Sequence, residues 1–193
     1  IDAGHGGEDG GAVSLSGVPE SEINLEIAQR LDLIMGLYGV PVQMLRTEDK
    51  SLHSEDAETL RQKKVSDLHN RVETVNGIEN AVLISIHQNS FPEQQYHGAQ
   101  VFYAPTEGSQ LLGEYMQEVL RVSLDESNQR ASKQIPDTVY LMNHINCPAI
   151  LVECGFLSNP AEDQLLQTPE YQVMVAISLA GAYLQYQQMT GEG

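Results

Sequence analysis

Val82-Leu83-Ile84-Ser85-Ile86 runs directly into His87-Gln88-Asn89-Ser90. The run is apolar on nearly both parities, the pattern of a central strand covered on both faces. Such strands belong to layered α/β sheets, and the rest of the chain supplies the layers. Residues 1–3, 40–45, 99–103, 138–142 and 149–153 read as further strands, with longer stretches of helical period between them.

A first helix is expected over residues 21–38, with Ile23, Ile27, Leu31, Ile34 and Met35 on one side and Gly39 as its stop. A second is expected over 54–76, acidic at Glu55, Asp56 and Glu58 and basic at Arg61, Lys63 and Lys64, the order a helix dipole favours. A third begins after Ser109. Asn159-Pro160-Ala161-Glu162 reads as a cap, an N1 proline and a capping-box partner. Thr168-Pro169 repeats the device ahead of a last helix that reaches about Gln188 and leaves a short polar tail. The expected fold is α/β: one domain over residues 1–193, with a mainly parallel six-stranded sheet flanked by about five helices. Residues 124–136, polar and without period, are expected to be a mobile loop that borders a substrate groove.

With 193 residues, 41% of them hydrophobic, the chain suits a single compact domain. Its 27 acidic and 10 basic residues give a net charge of −17. That argues against a polyanion-binding surface, so no nucleic-acid partner is expected. Cys147 and Cys154 are separated by an extended stretch of roughly 20 Å, too far for a disulfide. No apolar run is long enough to span a membrane, and no signal peptide is present. Because Ile1-Asp2 already looks like a strand entering a glycine loop, the natural chain is expected to begin upstream. Any export signal or membrane anchor would lie in that missing segment.

The chemistry concentrates at strand ends. Asp2-Ala3-Gly4-His5-Gly6-Gly7 places a histidine in a glycine loop after the first strand, and no phosphate-loop Gly-Lys-Ser/Thr follows. Glu20 leads the first helix, His87 ends the buried strand, and Glu153 ends the apolar run 149–152. Each has a plainer reading alone: a structural turn histidine, a carboxylate favoured by a helix N-terminus, a solvated strand end. Together they meet where open parallel sheets bind ligands, at the carboxyl ends of the strands. Two His and one Glu form a ligand set that hydrolytic zinc sites use, with His5, Glu20 and His87 as metal ligands and water in the fourth position. Glu153 is then the candidate base for that water. Cys154, next on the strand, faces away and is rejected as nucleophile or ligand. Arg46 and Arg71 read as ion-pair or carbonyl-binding residues. His53, His69, His97 and His144 receive no role.

These residues resemble a known family, the zinc-dependent N-acetylmuramoyl-L-alanine amidases of the type-3 class. The resemblance rests on IDAGHGGEDGGA with Glu20 following, Arg46, Leu68-His69-Asn70-Arg71 with Asn76, Ser85-Ile86-His87-Gln88-Asn89, and Val152-Glu153-Cys154-Gly155-Phe156-Leu157-Ser158-Asn159. It covers essentially the whole chain in the family's order. It implies Zn2+ held by His5, Glu20 and His87, a catalytic Glu153, and peptidoglycan as substrate on the extracytoplasmic side. Residues 139–142, 165–166 and 171–172 resemble the spore-cortex, germination-related subgroup, which acts ahead of muramic-δ-lactam formation. Two departures are Ala3, where many members carry proline, and the long charged stretch 48–67, a candidate surface for substrate or an accessory protein. Alternatives at this stage are another zinc peptidase or deacetylase on the same scaffold, or a non-hydrolytic peptidoglycan-binding module.

Overall fold

The computed structural model describes residues 1–191. The elements in chain order are β1 (Asp2–Ala3), α1 (Glu20–Leu37), α2 (Leu60–Asn76), β2 (Leu83–Asn89), β3 (Gln100–Tyr103), α3 (Ser109–Leu124), β4 (Lys133–Gln134), α4 (Tyr140–His144), β5 (Ala149–Phe156), α5 (Pro160–Leu166) and α6 (Pro169–Thr190). The strands form one sheet in the order β1-β2-β5-β3-β4. Every pairing is parallel except that of β3 with β5.

Side-chain alternation along β2 and β5 divides the interior into two cores. Ile84, Ile86, Ile150, Val152 and Cys154 pack with Ile23, Ile27 and Leu31 of α1, Met116 of α3 and Leu179 of α6. Leu83, Ala149 and Leu151 pack on the opposite face with Val75 of α2 and with Leu141 and Met142 of α4. Each buried aliphatic side chain contributes roughly 1.5–3 kcal/mol. The central pair, covered on both faces, is therefore a firm base for whatever its carboxyl ends carry.

The α/β class and the mostly parallel sheet agree with the reading of the sequence, but the sheet has five strands. Residues 40–45 make no ladder. Ile1 exchanges hydrogen bonds with them, its amine donating to Gln43 O and its carbonyl accepting from Leu45 N, and Pro41 has no N–H to give. Residues 138–142 turn helical at Tyr140, because adjacent residues Leu141 and Met142 both enter the second core. A strand would send them to opposite faces. β4 falls in the expected loop, where Ile135 is buried and donates its N–H to Tyr103 O.

Six helices are present among the described residues. α2 starts at Leu60 rather than 54, closed by a capping box between Thr59 and Gln62. α5 and α6 start at the expected cap-proline pairs: Asn159 accepts from Ala161 N and Glu162 N, and Thr168 from Tyr171 N. The Glu162 carboxylate serves elsewhere, accepting from Gly98 N and Phe156 N. α6 reaches Thr190, and the last two residues of the expected tail lie outside the described residues. Cys147 and Cys154 are free thiols. No helix among the described residues is long and apolar enough to cross a membrane.

Candidate metal centre

The loop after β1 holds His5 at φ 62°, a left-handed conformation uncommon for a residue with a side chain. The surroundings fix it there. Arg71 Nη2 donates to His5 O at 2.8 Å, and Gly6 and Asp9 exchange backbone hydrogen bonds. Arg46 is fully buried and donates to Ala3 O at 2.8 Å, Gly4 O at 3.1 Å and Ser21 O at 2.8 Å, joining the loop to the start of α1. Arg71 also pairs with Asp2, whose other oxygen accepts from Ser85 Oγ at 2.6 Å. Arg46 thus binds scaffold carbonyls, and Arg71 binds both carbonyls and carboxylates.

Glu20, the first residue of α1, is 3% exposed. Its Oε2 accepts from Ala12 N at 2.9 Å and lies 3.4 Å from His5 Nε2. Its Oε1 accepts from Gln88 N at 3.0 Å and Asn24 Nδ2 at 3.2 Å, and lies 3.0 Å from His87 Nδ1. The two imidazoles stand edge to face with centroids 5.0 Å apart. One donor atom from each of His5, Glu20 and His87 lies within 4.8 Å of the others. Glycine makes this approach possible. A Cβ on Gly4 would overlap the His87 ring, and one on Gly11 would overlap the Glu20 carboxylate and the His5 ring.

Burial alone would raise the Glu20 pKa, but hydrogen bonds to His5 and His87 outweigh it and hold the carboxyl far below its usual range. Burial likewise works against a charged His5, yet hydrogen bonds to Asp9 and Glu20 raise its pKa to about 9. The ionised Glu20 carboxylate thus lies between the two histidine rings. Two nitrogens and a carboxylate oxygen are the donor chemistry of a hydrolytic zinc site, so the residues fit a divalent cation.

Glu153 pairs with His87 across the β2–β5 ladder. Its Oε2 is buried without a hydrogen-bond partner. Burial pushes its pKa up to about 7, with His87 and His5 pulling it down and Glu20 pushing it further up. A buried oxygen left unpaired is costly unless a proton, water or cation meets it. Cys154 lies on the other face in the first core, and burial drives its thiol far above the usual range.

The structure thus brings His5, Glu20 and His87 together and sets Glu153 beside them. The sequence reading missed Asp9, Asn24, Gln88 and Gly11. Asn24 was available as a signal, one helical turn after Glu20. Asp9 stands 3.1 Å from His5 Nδ1. The stretch 48–67 packs on the same loop: Asp49 accepts from Gly7 N at 2.9 Å, Lys63 pairs with Glu8 and Lys64 with Asp9. Glu8, Asp9, Lys63 and Lys64, with Ser51, Leu60 and Asp67, line a cavity of about 220 Å³ beside His5. His69, Tyr140 and His144 form a separate stack of rings. Cavities of about 720 and 760 Å³ open at the amino ends of the strands, away from these residues.

The family model described as Amidase_3, N-acetylmuramoyl-L-alanine amidase, matches residues 1–184. The germination-specific N-acetylmuramoyl-L-alanine amidase of Bacillus subtilis is 38% identical over 187 residues, covering 96% of this chain and 78% of that protein. The CwlD amidase of Clostridioides difficile, solved in complex with the GerS lipoprotein, superposes with a TM-score of 0.93 at 37% identity, over 97% of this chain and 96% of that one. An N-acetylmuramoyl-L-alanine amidase from Clostridium difficile 630 superposes with a TM-score of 0.84 at 28% identity, over 97% and 95% of the two chains. With that match running from the His5 loop into α6, the chain belongs to the Amidase_3 family of N-acetylmuramoyl-L-alanine amidases.

Proposed function

We propose that residues 1–193 form one zinc amidase domain that hydrolyses the amide between N-acetylmuramic acid and L-alanine in peptidoglycan. Its setting is the extracytoplasmic spore cortex, in the sequence leading to muramic-δ-lactam. The observation that carries this reading is the convergence of His5, Glu20 and His87 beside the partnerless Oε2 of Glu153. The germination-specific name of the Bacillus subtilis relative supports the cortex role. The GerS lipoprotein bound to the Clostridioides difficile amidase supports an accessory protein for this chain as well.

His5, Glu20 and His87 hold the metal. Zinc bound there supplies Lewis-acid polarisation of the scissile carbonyl and a lowered pKa for water. Glu153 takes the proton from the attacking water as its oxygen bonds to the carbonyl carbon. As the C–N bond breaks, Glu153 returns that proton to the departing alanine nitrogen. Arg46, Arg71 and Asn24 keep the loop and the Glu20 carboxylate in place.

The test is a digest of purified peptidoglycan with the zinc-loaded protein, scored for new L-alanine amino termini and, on the same sample, for bound metal. About one zinc per chain and new alanine termini are expected, with zinc reduced in each of His5→Ala, Glu20→Ala and His87→Ala. New termini at other residues, or released acetate, would identify a peptidase or a deacetylase instead. Pelleting with peptidoglycan without release would identify a binding module.

A further inference from the structure

Beyond Glu153, the carboxyl ends of β2 and β5 open onto exposed aromatic rings and an arginine that the proposed chemistry does not use. Phe91 and Tyr96 are 50% and 40% exposed. Their rings and that of buried Phe156 lie 5.6–6.4 Å apart, centroid to centroid. The Arg130 guanidinium carbon sits 4.6 Å above the Phe156 ring.

The register of the sheet connects this group to the metal centre. His87 pairs with Glu153, and Asn89 pairs with Phe156, so three steps on β5 match two on β2. The extra residue is a bulge that returns Phe156 to the face of Glu153, about 7 Å further along the strand. A peptide lying over Glu153 meets Phe156 and Arg130 within its first few residues, at about 3.3 Å per residue.

Arg130 is held in place by hydrogen bonds on both its backbone and its side chain. Its backbone N–H donates to Asn128 Oδ1 at 3.0 Å and its Nε to His97 O at 2.9 Å. Asn128 is buried and donates to Ala99 O at 2.8 Å, and His97 pairs with Asp125 at 2.8 Å. The expected mobile loop is therefore pinned at both ends of the arginine. Lys50, Lys63, Lys64, Arg71 and Arg121 meet carboxylates, whereas Arg130, like Arg30, Arg46, Arg61 and Lys133, enters none of the ion pairs among the described residues. Its planar fork suits a carboxylate. A cavity of about 540 Å³, lined by Tyr96, His97 and Arg130, lies beside it.

We propose that Arg130, with Phe91 and Tyr96, forms a subsite for a carboxylate of the peptide half of the substrate, an acidic peptide extending from the scissile alanine. This rests on the amidase reading above. In a chain of net charge −17, a fixed unpaired cation on the substrate side counters the general repulsion of an acidic peptide and sets which stem peptides bind.

The test uses the zinc-loaded protein and two probes: L-alanyl-γ-D-glutamyl-L-lysine and the same tripeptide with its carboxylates amidated. In calorimetry the wild type should prefer the acidic form by about tenfold or more. Arg130→Gln should lose most of that preference, and Arg130→Lys should keep part of it. With muropeptides, Arg130→Gln should raise KM by a similar factor with kcat changed less than about twofold, because a remote contact is made equally before and at the transition state. Equal affinity of the wild type for both probes overturns the subsite. So does an Arg130→Gln loss that is the same for both, and so does an Arg130→Gln variant that still discriminates between them normally. Peptide release by the wild type is scored separately: its absence sinks the amidase reading, while the binding arm still decides the subsite.

Discussion

Asp9 Oδ2 lies 3.1 Å from Nδ1 of His5, and Lys64 Nζ lies 3.1 Å from the same oxygen. The contact fixes which edge of the imidazole faces inward: with Nδ1 turned to Asp9, Nε2 faces Glu20. A carboxylate behind a ligating histidine orients the ring and raises its basicity, and losing it typically costs about 10–100-fold in metal affinity. Asp9→Ala is therefore expected to weaken zinc binding by about that factor in a competition titration against a chromophoric chelator, with Asp9→Asn less affected. An unaltered affinity in Asp9→Ala would leave the carboxylate as a loop staple only.

Gly4 offers a steric test of the same centre. It sits where any side chain would enter the space of the His87 ring, and its φ lies outside the left-handed region, so alanine introduces a clash rather than backbone strain. Gly4→Ala should displace His87 and lower bound zinc with most of the thermal stability retained. If zinc stays at wild-type occupancy, His87 is free to move aside and its present position is not what the centre needs.

The parts of this molecule legible in its sequence are those dictated by local pattern. The run 82–86 could be buried only as a central strand, so His87 had to emerge toward its carboxyl end, although the strand runs on to Asn89. Pro160 and Pro169, each behind a capping side chain, marked two helix starts without ambiguity. Residues 138–142 misled because β-branched and aromatic residues suit a strand, whereas two adjacent side chains are claimed by one core. Asp9 and Arg130 were not legible, since their roles depend on partners brought in by the fold: Lys64 and His5 for the first, Phe156 and His97 for the second.

Asp2 and Arg71 form a buried ion pair under the His5 loop, and Asp2 titrates below its normal range. Burial alone would raise its pKa, but the Arg71 charge and the Ser85 hydrogen bond prevail. A depressed carboxylate contributes stability that is fully present above its unfolded pKa, about 3.9, and is lost as pH falls through the folded value. Asp2→Asn should therefore cost about 3 kcal/mol at pH 7, at the low end for a broken buried pair because Arg71 keeps Asp67. Its stability should also decline less steeply than the wild type's as pH falls below about 4. Urea unfolding of both proteins across pH 3–7 measures this, and parallel curves would mean that Asp2 carries no linked proton.

Glu153→Gln separates the three roles open to the carboxyl group that β5 sets beside His87. Glutamine keeps the volume and a hydrogen-bonding oxygen at this position but cannot accept a proton from water. A general base of this kind is worth about 10²–10⁴ in rate. The variant is expected to keep its zinc and its melting temperature and to lose hydrolysis by that factor. The partnerless Oε2 argues for this outcome, because no hydrogen bond to that oxygen is lost. Were Glu153 a ligand, zinc affinity would fall together with activity. Were it a structural carboxylate, the melting temperature would fall while the folded fraction released peptide at the normal rate. Melting temperature, bound zinc and peptide release measured on one preparation distinguish these cases, and near-normal release would remove Glu153 from the chemistry.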